Sequence, residues 1–269
     1  MLLNASGCLD ALAAPDVARS LDAFVTKTVT PLPREGNPPL RIAETLPRLR
    51  ELGVPLWVSV GGFAASEYAE TCALLEGVTI ELNLSCPNVD EAPESAAEIV
   101  AACRAATELP LFAKLSAAAP DVAATATAVQ VAGADGLSLV NTIRGLALDE
   151  RTLLPRLERA IGGLSGPALR PIALAAVFAC YRATGLEIVG MGGVANGRDA
   201  LELIAAGASH VALGTVLFSD PEAPSRVREE LVVEARKLGH ADPGDAFAVA
   251  HERVPEGDRS LDPRSRVPA

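Results

Sequence analysis

The chain has 269 residues, 49% of them hydrophobic, and a formal net charge of −11. That length is ample for one large core, and the acidity argues against general binding to nucleic acid or to an anionic membrane. Five cysteines without a CxxC pair and three histidines support neither a disulfide framework nor a Cys- or His-built metal site, and with no leader-like segment and no run of about eighteen apolar residues the protein is expected to be soluble and cytoplasmic.

Apolar, β-branched runs alternate with amphipathic stretches along the chain. Strands are predicted at Leu2–Asn4, Ala23–Lys27, Leu56–Val60, Val78–Leu84, Pro110–Leu115, Gly136–Asn141, Glu187–Met191 and His210–Gly214. Near-continuous apolar strands separated by helices imply a parallel sheet covered by helices. Eight such units imply a closed (β/α)8 TIM barrel, an α/β fold built as a single domain. Aromatic residues make up only 3% of the chain, so aliphatic side chains must build the core. In the helix before the fifth strand, Ala96, Ile99, Val100 and Cys103 recur on one apolar face. Cys72, Cys103 and Cys180 therefore read as core residues, and Cys8 as a packing residue. Asn196 is a plausible N-cap, with Asp199 in the first turn and Gly207 beyond the end. The long connection from Asn141 to Pro171 is predicted to carry a short helical piece over Leu153–Ala160, and long connections of this kind are often functional. Residues 1–250 form the predicted barrel, and the polar, Pro-containing stretch 251–269 is expected to be a disordered tail.

In a barrel of this kind the C-terminal strand ends build the active site. In chain order those ends carry Asn4-Ala5-Ser6-Gly7, Lys27-Thr28, Ser59, Asn83 with Cys86 and Asn88, Lys114, Asn141-Thr142, Gly192-Gly193 and Gly214-Thr215. The run Asn83-Leu84-Ser85-Cys86-Pro87-Asn88 is the most informative. It sets a thiol on a Pro-rigidified loop between two carboxamides, suited to reading a polar ring and moving a proton. Glycines after the seventh and eighth strands free backbone N–H groups for an anion, at the usual phosphate position of the fold. Only three of the 23 cationic residues are lysines, and two of them, Lys27 and Lys114, stand at strand ends where a compact ammonium has a use. One phosphate opposite several amides and two ammonium groups fits flavin mononucleotide (FMN). A cation such as Lys114 near the flavin pyrimidine would stabilise the reduced ring. The absence of GxGxxG after a strand and of GxxxxGK[ST] leaves a dinucleotide or nucleoside-triphosphate site unsupported. The histidines (His210, His240, His251) lie away from these strand ends and read as structural or surface groups.

Taken together, several stretches resemble one family. They are Asn4-Ala-Ser-Gly, Val25-Thr-Lys-Thr-Val-Thr with Gly36-Asn-Pro-Pro-Leu-Arg41, Glu81-Leu-Asn-Leu-Ser-Cys-Pro-Asn-Val, Asn141-Thr142, Gly162-Gly-Leu-Ser-Gly-Pro-Ala-Leu-Arg170, Gly190-Met-Gly-Gly-Val and Leu213-Gly-Thr215. In that order they are similar to class 1 dihydroorotate dehydrogenases, and to the NAD-linked subtype with an iron–sulfur flavoprotein partner more than to the fumarate-reducing one. The resemblance implies oxidation of dihydroorotate to orotate in pyrimidine biosynthesis. Cys86 would be the base and flavin N5 the hydride acceptor. Lys27, Asn83, Asn141 and Thr142 would hold the substrate. Ser6, Lys27, Thr28, Ser59, Asn83, Lys114, Val140, Gly166, Gly192, Gly193, Gly214 and Thr215 would hold FMN. It further implies an iron–sulfur/FAD electron-transfer subunit and a homodimer or heterotetramer. The chain departs from the family in two places. A substrate-capping segment expected after Arg41-Ile-Ala-Glu-Thr45 is missing, and so is a first β-hairpin before Met1. The first loss keeps open a non-catalytic or impaired FMN-binding barrel, or a flavin oxidoreductase acting on a related cyclic amide.

Overall fold

The computed structural model describes residues 1–31, 42–84 and 93–252. Eight parallel strands form one sheet: β1 (Leu2–Asn4), β2 (Phe24–Val25), β3 (Leu56–Val60), β4 (Thr79–Asn83), β5 (Leu111–Ser116), β6 (Gly136–Asn141), β9 (Glu187–Met191) and β10 (His210–Leu213), with β7 (Ile143–Leu146) and β8 (Ile161–Leu164) forming a separate antiparallel pair. The sheet order is β1-β10-β9-β6-β5-β4-β3-β2. A parallel bridge between Leu3 and Ala23 joins its two ends. The expected TIM barrel therefore closes.

The closure is unusual in its chemistry. Beyond the Leu3–Ala23 bridge, the Asn4 carboxamide takes the place of backbone pairing. Its Nδ2 donates to the Val25 carbonyl at 2.8 Å, and its Oδ1 accepts from the Val25 N–H at 2.8 Å. β2 is shorter than the predicted Ala23–Lys27, and on its β3 edge the Ser59 N–H donates to Thr26 Oγ1 at 3.2 Å.

Alternation along each strand separates two apolar populations. Outward residues such as Val58, Ile80, Leu82, Leu137 and Ile188 pack under the helices. Inward residues Leu3, Val25, Trp57, Phe112, Val189, Met191 and Ala212 fill the barrel. Trp57 and Phe112 meet with ring centroids 4.5 Å apart. Gly136 makes room for this contact, because a Cβ there would lie 2.2 Å from the Phe112 ring.

The covering helices are α1 (Pro15–Arg19), α2 (Ile42–Arg50), α3 (Ala65–Ala73), α4 (Pro93–Ala106), α5 (Val122–Val131), α6 (Arg170–Ala183), α7 (Gly197–Ala205), α8 (Val216–Ser219) and α9 (Ala223–Lys237). Asn196 caps α7 by accepting from the Asp199 N–H. Cys72, Cys103 and Cys180 are all buried, as the apolar periodicity predicted. Burial pushes the Cys180 thiol up to about 12, with the Asp121 carboxylate adding to the effect. The Cys103 thiol is also raised, first by its hydrogen bond with Cys72 and then by burial. Thr45 and Leu46 are consecutive residues inside α2, so the helix leads toward β3 without an intervening segment.

One expectation is corrected. Leu153–Ala160 is not helical: it is a series of turns, with a Leu148–Pro155 bridge and positive φ at Leu153 and Ala160. Positive φ at Leu153 and Ala160 is incompatible with a helix, and Pro155 disfavours the helical region for Leu154 before it. The connection instead forms the β7–β8 arm, with Leu153, Leu154 and Leu157 half-exposed or more.

Candidate active site

Parallel topology puts the C-terminal ends of all eight barrel strands at one mouth. Inward side chains there divide by position. Strands β3 to β6 contribute Ser59, Glu81, Asn83, Lys114 and Ser138, whereas β9, β10, β1 and β2 contribute apolar Val189, Met191, Ala212, Leu3 and Val25. One side of the mouth is therefore polar and the other apolar.

The polar side is joined into a row of hydrogen bonds. Ser6 Oγ donates to the Thr26 carbonyl at 2.9 Å and lies 3.3 Å from Thr28 Oγ1. Thr28 Oγ1 lies 3.0 Å from Ser59 Oγ and accepts from Asn83 Nδ2 at 3.1 Å. Asn83 Oδ1 accepts from Asn141 Nδ2 at 2.9 Å, and Asn141 Oδ1 accepts from the Thr142 N–H at 2.9 Å. Six residues predicted from strand ends are thus brought into one connected row. The Asn83 carbonyl is itself held by Tyr68 Oη, 2.8 Å away on α3.

Asn141 reaches this row through a register shift. Leu115 pairs with Leu139, but Ser116 pairs with Asn141, so β6 has one extra residue at its end. Such a bulge re-aims the side chains beyond it. Val140, the bulged residue, is buried and follows a cis peptide bond from Leu139.

Beneath the row, Lys114 Nζ donates to Glu81 Oε1 at 3.2 Å, with side-chain exposures of 5% and 1%. Ser138, in register with Lys114, has a buried Oγ with no hydrogen-bond partner among the described residues. Cys8 is half-buried close to this corner. Burial pushes its thiol up, while the Lys114 ammonium draws it down and the Glu81 carboxylate raises it. Glu81, Tyr68 and the placement of Cys8 were not foreseen. Strand alternation alone would have found Glu81, because it shares its face with Asn83.

Across the mouth, four backbone segments converge. Gly193 has φ +77, and a Cβ there would lie 2.8 Å from Arg170 Cβ, 2.9 Å from Arg170 N and 2.9 Å from the Gly166 carbonyl oxygen. Gly192 has φ +120 and packs against Leu169 and Ala173. A Cβ on Gly166 would sit 3.7 Å from Thr215 Oγ1, and one on Gly214 4.0 Å from Cys8 Sγ. Gly166 precedes the 3-10 turn leading into α6, and Thr215 precedes α8. The result is a cradle in which positive φ at Gly166, Gly192 and Gly193 favours glycine. Asp199 holds its walls together by pairing with the Arg170 guanidinium and accepting the Ala195 N–H at 2.9 Å.

Lys27 is exposed. It borders a cavity of ≈ 300 Å³ that is also lined by Gly7, Asp10, Thr26, Thr45 and Leu49. Cys86 and Asn88, the remaining members of the motif that begins at Asn83, lie outside the described residues, as do residues 32–41. Among the described residues no helix is long and apolar enough to cross a membrane, and no cluster of His, Cys, Asp and Glu could hold a metal ion.

Comparison with known proteins agrees with this geometry. The chain is 40% identical over 264 residues to a protein of Desulforudis audaxviator named dihydroorotate dehydrogenase B (NAD(+)), catalytic subunit, covering 86% of each chain. It is 38% identical over 255 residues to a protein of the same name from Trichlorobacter lovleyi, covering 82% of this chain and 84% of the relative. It is also 38% identical over 245 residues to a protein of Solibacter usitatus named putative dihydroorotate dehydrogenase A (fumarate), covering 79% of this chain and 81% of the relative. Residues 44–234 match the model of the dihydroorotate dehydrogenase family, and the chain belongs to that family.

Proposed function

We propose that this chain is the catalytic subunit of an FMN-dependent dihydroorotate dehydrogenase, oxidising (S)-dihydroorotate to orotate in pyrimidine biosynthesis. The observation that carries this reading is the placement of a hydrogen-bonded amide row opposite a glycine cradle on one barrel mouth. A ligand with one phosphate and one polar ring matches both ends. The residues fit FMN on two further grounds. Glycine at 192 and 193 lets backbone segments approach more closely than a Cβ would allow, and Ser138 Oγ is a buried polar atom with no partner among the described residues.

In this reading Gly166, Gly192, Gly193, Gly214 and Thr215 hold the phosphate through backbone N–H groups and the Thr215 hydroxyl. Ser6, Lys27, Thr28, Ser59, Asn83, Lys114 and Val140 hold the rest of the cofactor. When bound, FMN supplies the acceptor for a hydride leaving the substrate. The protein's own task is the proton: Cys86 removes it from the carbon next to the one that loses hydride. Asn83, Asn141 and Thr142 orient the substrate amides. Their mutual bonds fix each carboxamide before any ligand arrives, which favours a positioned ground state. Lys27, exposed at the same mouth, pairs with the substrate carboxylate. Several relatives are named as catalytic subunits, so an electron-transfer subunit with iron–sulfur and FAD groups is the proposed partner.

The test is anaerobic addition of dihydroorotate to purified, yellow protein. Bleaching of the flavin is expected, and Cys86→Ala should slow it by about a hundredfold or more while leaving FMN bound. Parental bleaching by Cys86→Ala would refute the base assignment. One observation favours a second reading: α2 runs unbroken through Thr45–Leu46, without the segment that caps the substrate in the family. Flavin that stays oxidised with dihydroorotate but is bleached by another cyclic amide would establish that alternative.

A further inference from the structure

Beside Ser59 of the row, three inward side chains in the barrel interior carry polar groups at or below its level: Glu81, Lys114 and Ser138. Glu81 and Lys114 are the charged pair, joined at 3.2 Å with almost no exposure. Desolvating two such charges rarely adds stability over an apolar pair of equal volume. The inward positions one step deeper on β3 and β5 are apolar, Trp57 and Phe112, and belong to one cluster with Val189 and Met191. A leucine or methionine at each position would extend that core, so stability alone gives no account of the pair.

Geometry gives one. Asn83 pairs in register with Lys114, and Glu81 lies two residues earlier on the same strand, hence one step deeper on the same face. The ammonium at the level of the amide row is therefore tied from below. Cys8 and Ser138 Oγ, which has no hydrogen-bond partner among the described residues, adjoin the same corner. The corner holds one positive and one negative charge, so it has an ammonium without having a net charge.

We propose that Glu81 is a positioning residue that holds the Lys114 ammonium at the floor of the FMN site and offsets part of its charge, thereby lowering the reduction potential of the bound flavin. This rests on the FMN reading given above. Two-electron reduction with uptake of one proton gives the ring one net negative charge. Lys114 favours that charge and Glu81 opposes it across a low-dielectric interior, where such effects are strong. The pair then sets a balance, whereas a lone lysine would trap electrons on the cofactor and slow their passage onward.

The experiment is a midpoint potential for FMN bound to the full chain, measured by equilibration with a redox dye. Glu81→Gln keeps the shape and removes the charge. At fixed dye potential it should raise the reduced-to-oxidised ratio about tenfold, an upward shift of ~30 mV for a two-electron couple. Glu81→Asp keeps the charge and should stay within about threefold of the parent. Lys114→Gln should move the ratio the opposite way. If Glu81→Gln does not fold, the double variant Glu81→Gln/Lys114→Gln leaves no unpaired buried charge, and its potential should lie nearer the parent's than that of Lys114→Gln alone. An unchanged or lowered potential in Glu81→Gln overturns the proposal, as does a double variant no nearer the parent than Lys114→Gln. A parent chain that cannot be loaded with FMN overturns the cofactor reading itself, a separate outcome.

Discussion

Gly193→Ala is the sharpest probe of the cradle. The residue has φ +77, where an L side chain costs about 1–2 kcal/mol. The new Cβ would also lie 2.8 Å from Arg170 Cβ and 2.9 Å from both Arg170 N and the Gly166 carbonyl oxygen. Ordinary contact needs roughly 3.5 Å, so these neighbours must retreat by about 0.7 Å. Two of the three are backbone atoms of the cradle itself. A retreat of that size stretches a hydrogen bond of about 2.9 Å to about 3.6 Å, outside bonding range. Losing one bond to a charged group costs about 1.5–3 kcal/mol, or roughly a 10- to 150-fold weaker FMN Kd. Gly53→Ala is the control. It has a similar φ of +74, and a Cβ there meets nothing within 4 Å. It should cost the same backbone energy, about 1–2 kcal/mol in urea unfolding, and leave FMN affinity unchanged. Affinity is read by quenching of FMN fluorescence on titration with apoprotein. A Gly193→Ala protein that binds FMN within twofold of the parent would refute the assignment, as would equal loss in Gly53→Ala.

Asn83→Leu removes the centre of the amide row, leaving Thr28 and Asn141 without the bonds they make to it. At about 0.5–1.5 kcal/mol for each of the two lost hydrogen bonds, kcat/KM for dihydroorotate should fall by roughly 5- to 150-fold, and steady-state kinetics will show it. Alkaline pH should destabilise the fold through its buried thiols. The folded Cys180 pKa, at about 12, is raised above its ordinary value of 9.0. Its contribution is therefore fully present below pH 9 and is lost as pH rises toward 12, because only the unfolded chain releases the proton there. At pH 10 one thiol should account for on the order of 1 kcal/mol. Urea midpoints at pH 7, 9 and 10 test this, and Cys180→Ala should flatten the decline.

The barrel was readable because its strands announce themselves twice, by apolar runs and by the small or hydrogen-bonding residue that follows each one. Asn83, Asn141 and Thr28 were found as strand ends, yet nothing in sequence order says that they touch. Contact comes from neighbouring strands and, for Asn141, from a register shift at Leu115–Ser116. Glu81 was legible by alternation but masked by its place inside an apolar run. The arm misled for a definite reason: Leu153, Leu154 and Leu157 mimic helical spacing, while the short strands Ile143–Leu146 and Ile161–Leu164 contain too many glycines to look β-forming. The second strand was overdrawn because side chains do part of its pairing, Thr26 Oγ1 toward β3 and the Asn4 carboxamide toward β1.

That last feature gives the barrel an encoded seam. A backbone ladder is largely indifferent to sequence, and it makes most of the other joints between neighbouring strands. The joint between β1 and β2 depends on a specific side chain: it needs a donor and an acceptor on one short planar arm, which Asp and Leu do not provide. Ser6, two residues beyond that arm, opens the polar row. A single carboxamide thus joins the Leu3–Ala23 bridge in closing the sheet into a tube and stands two residues before the first residue of the site.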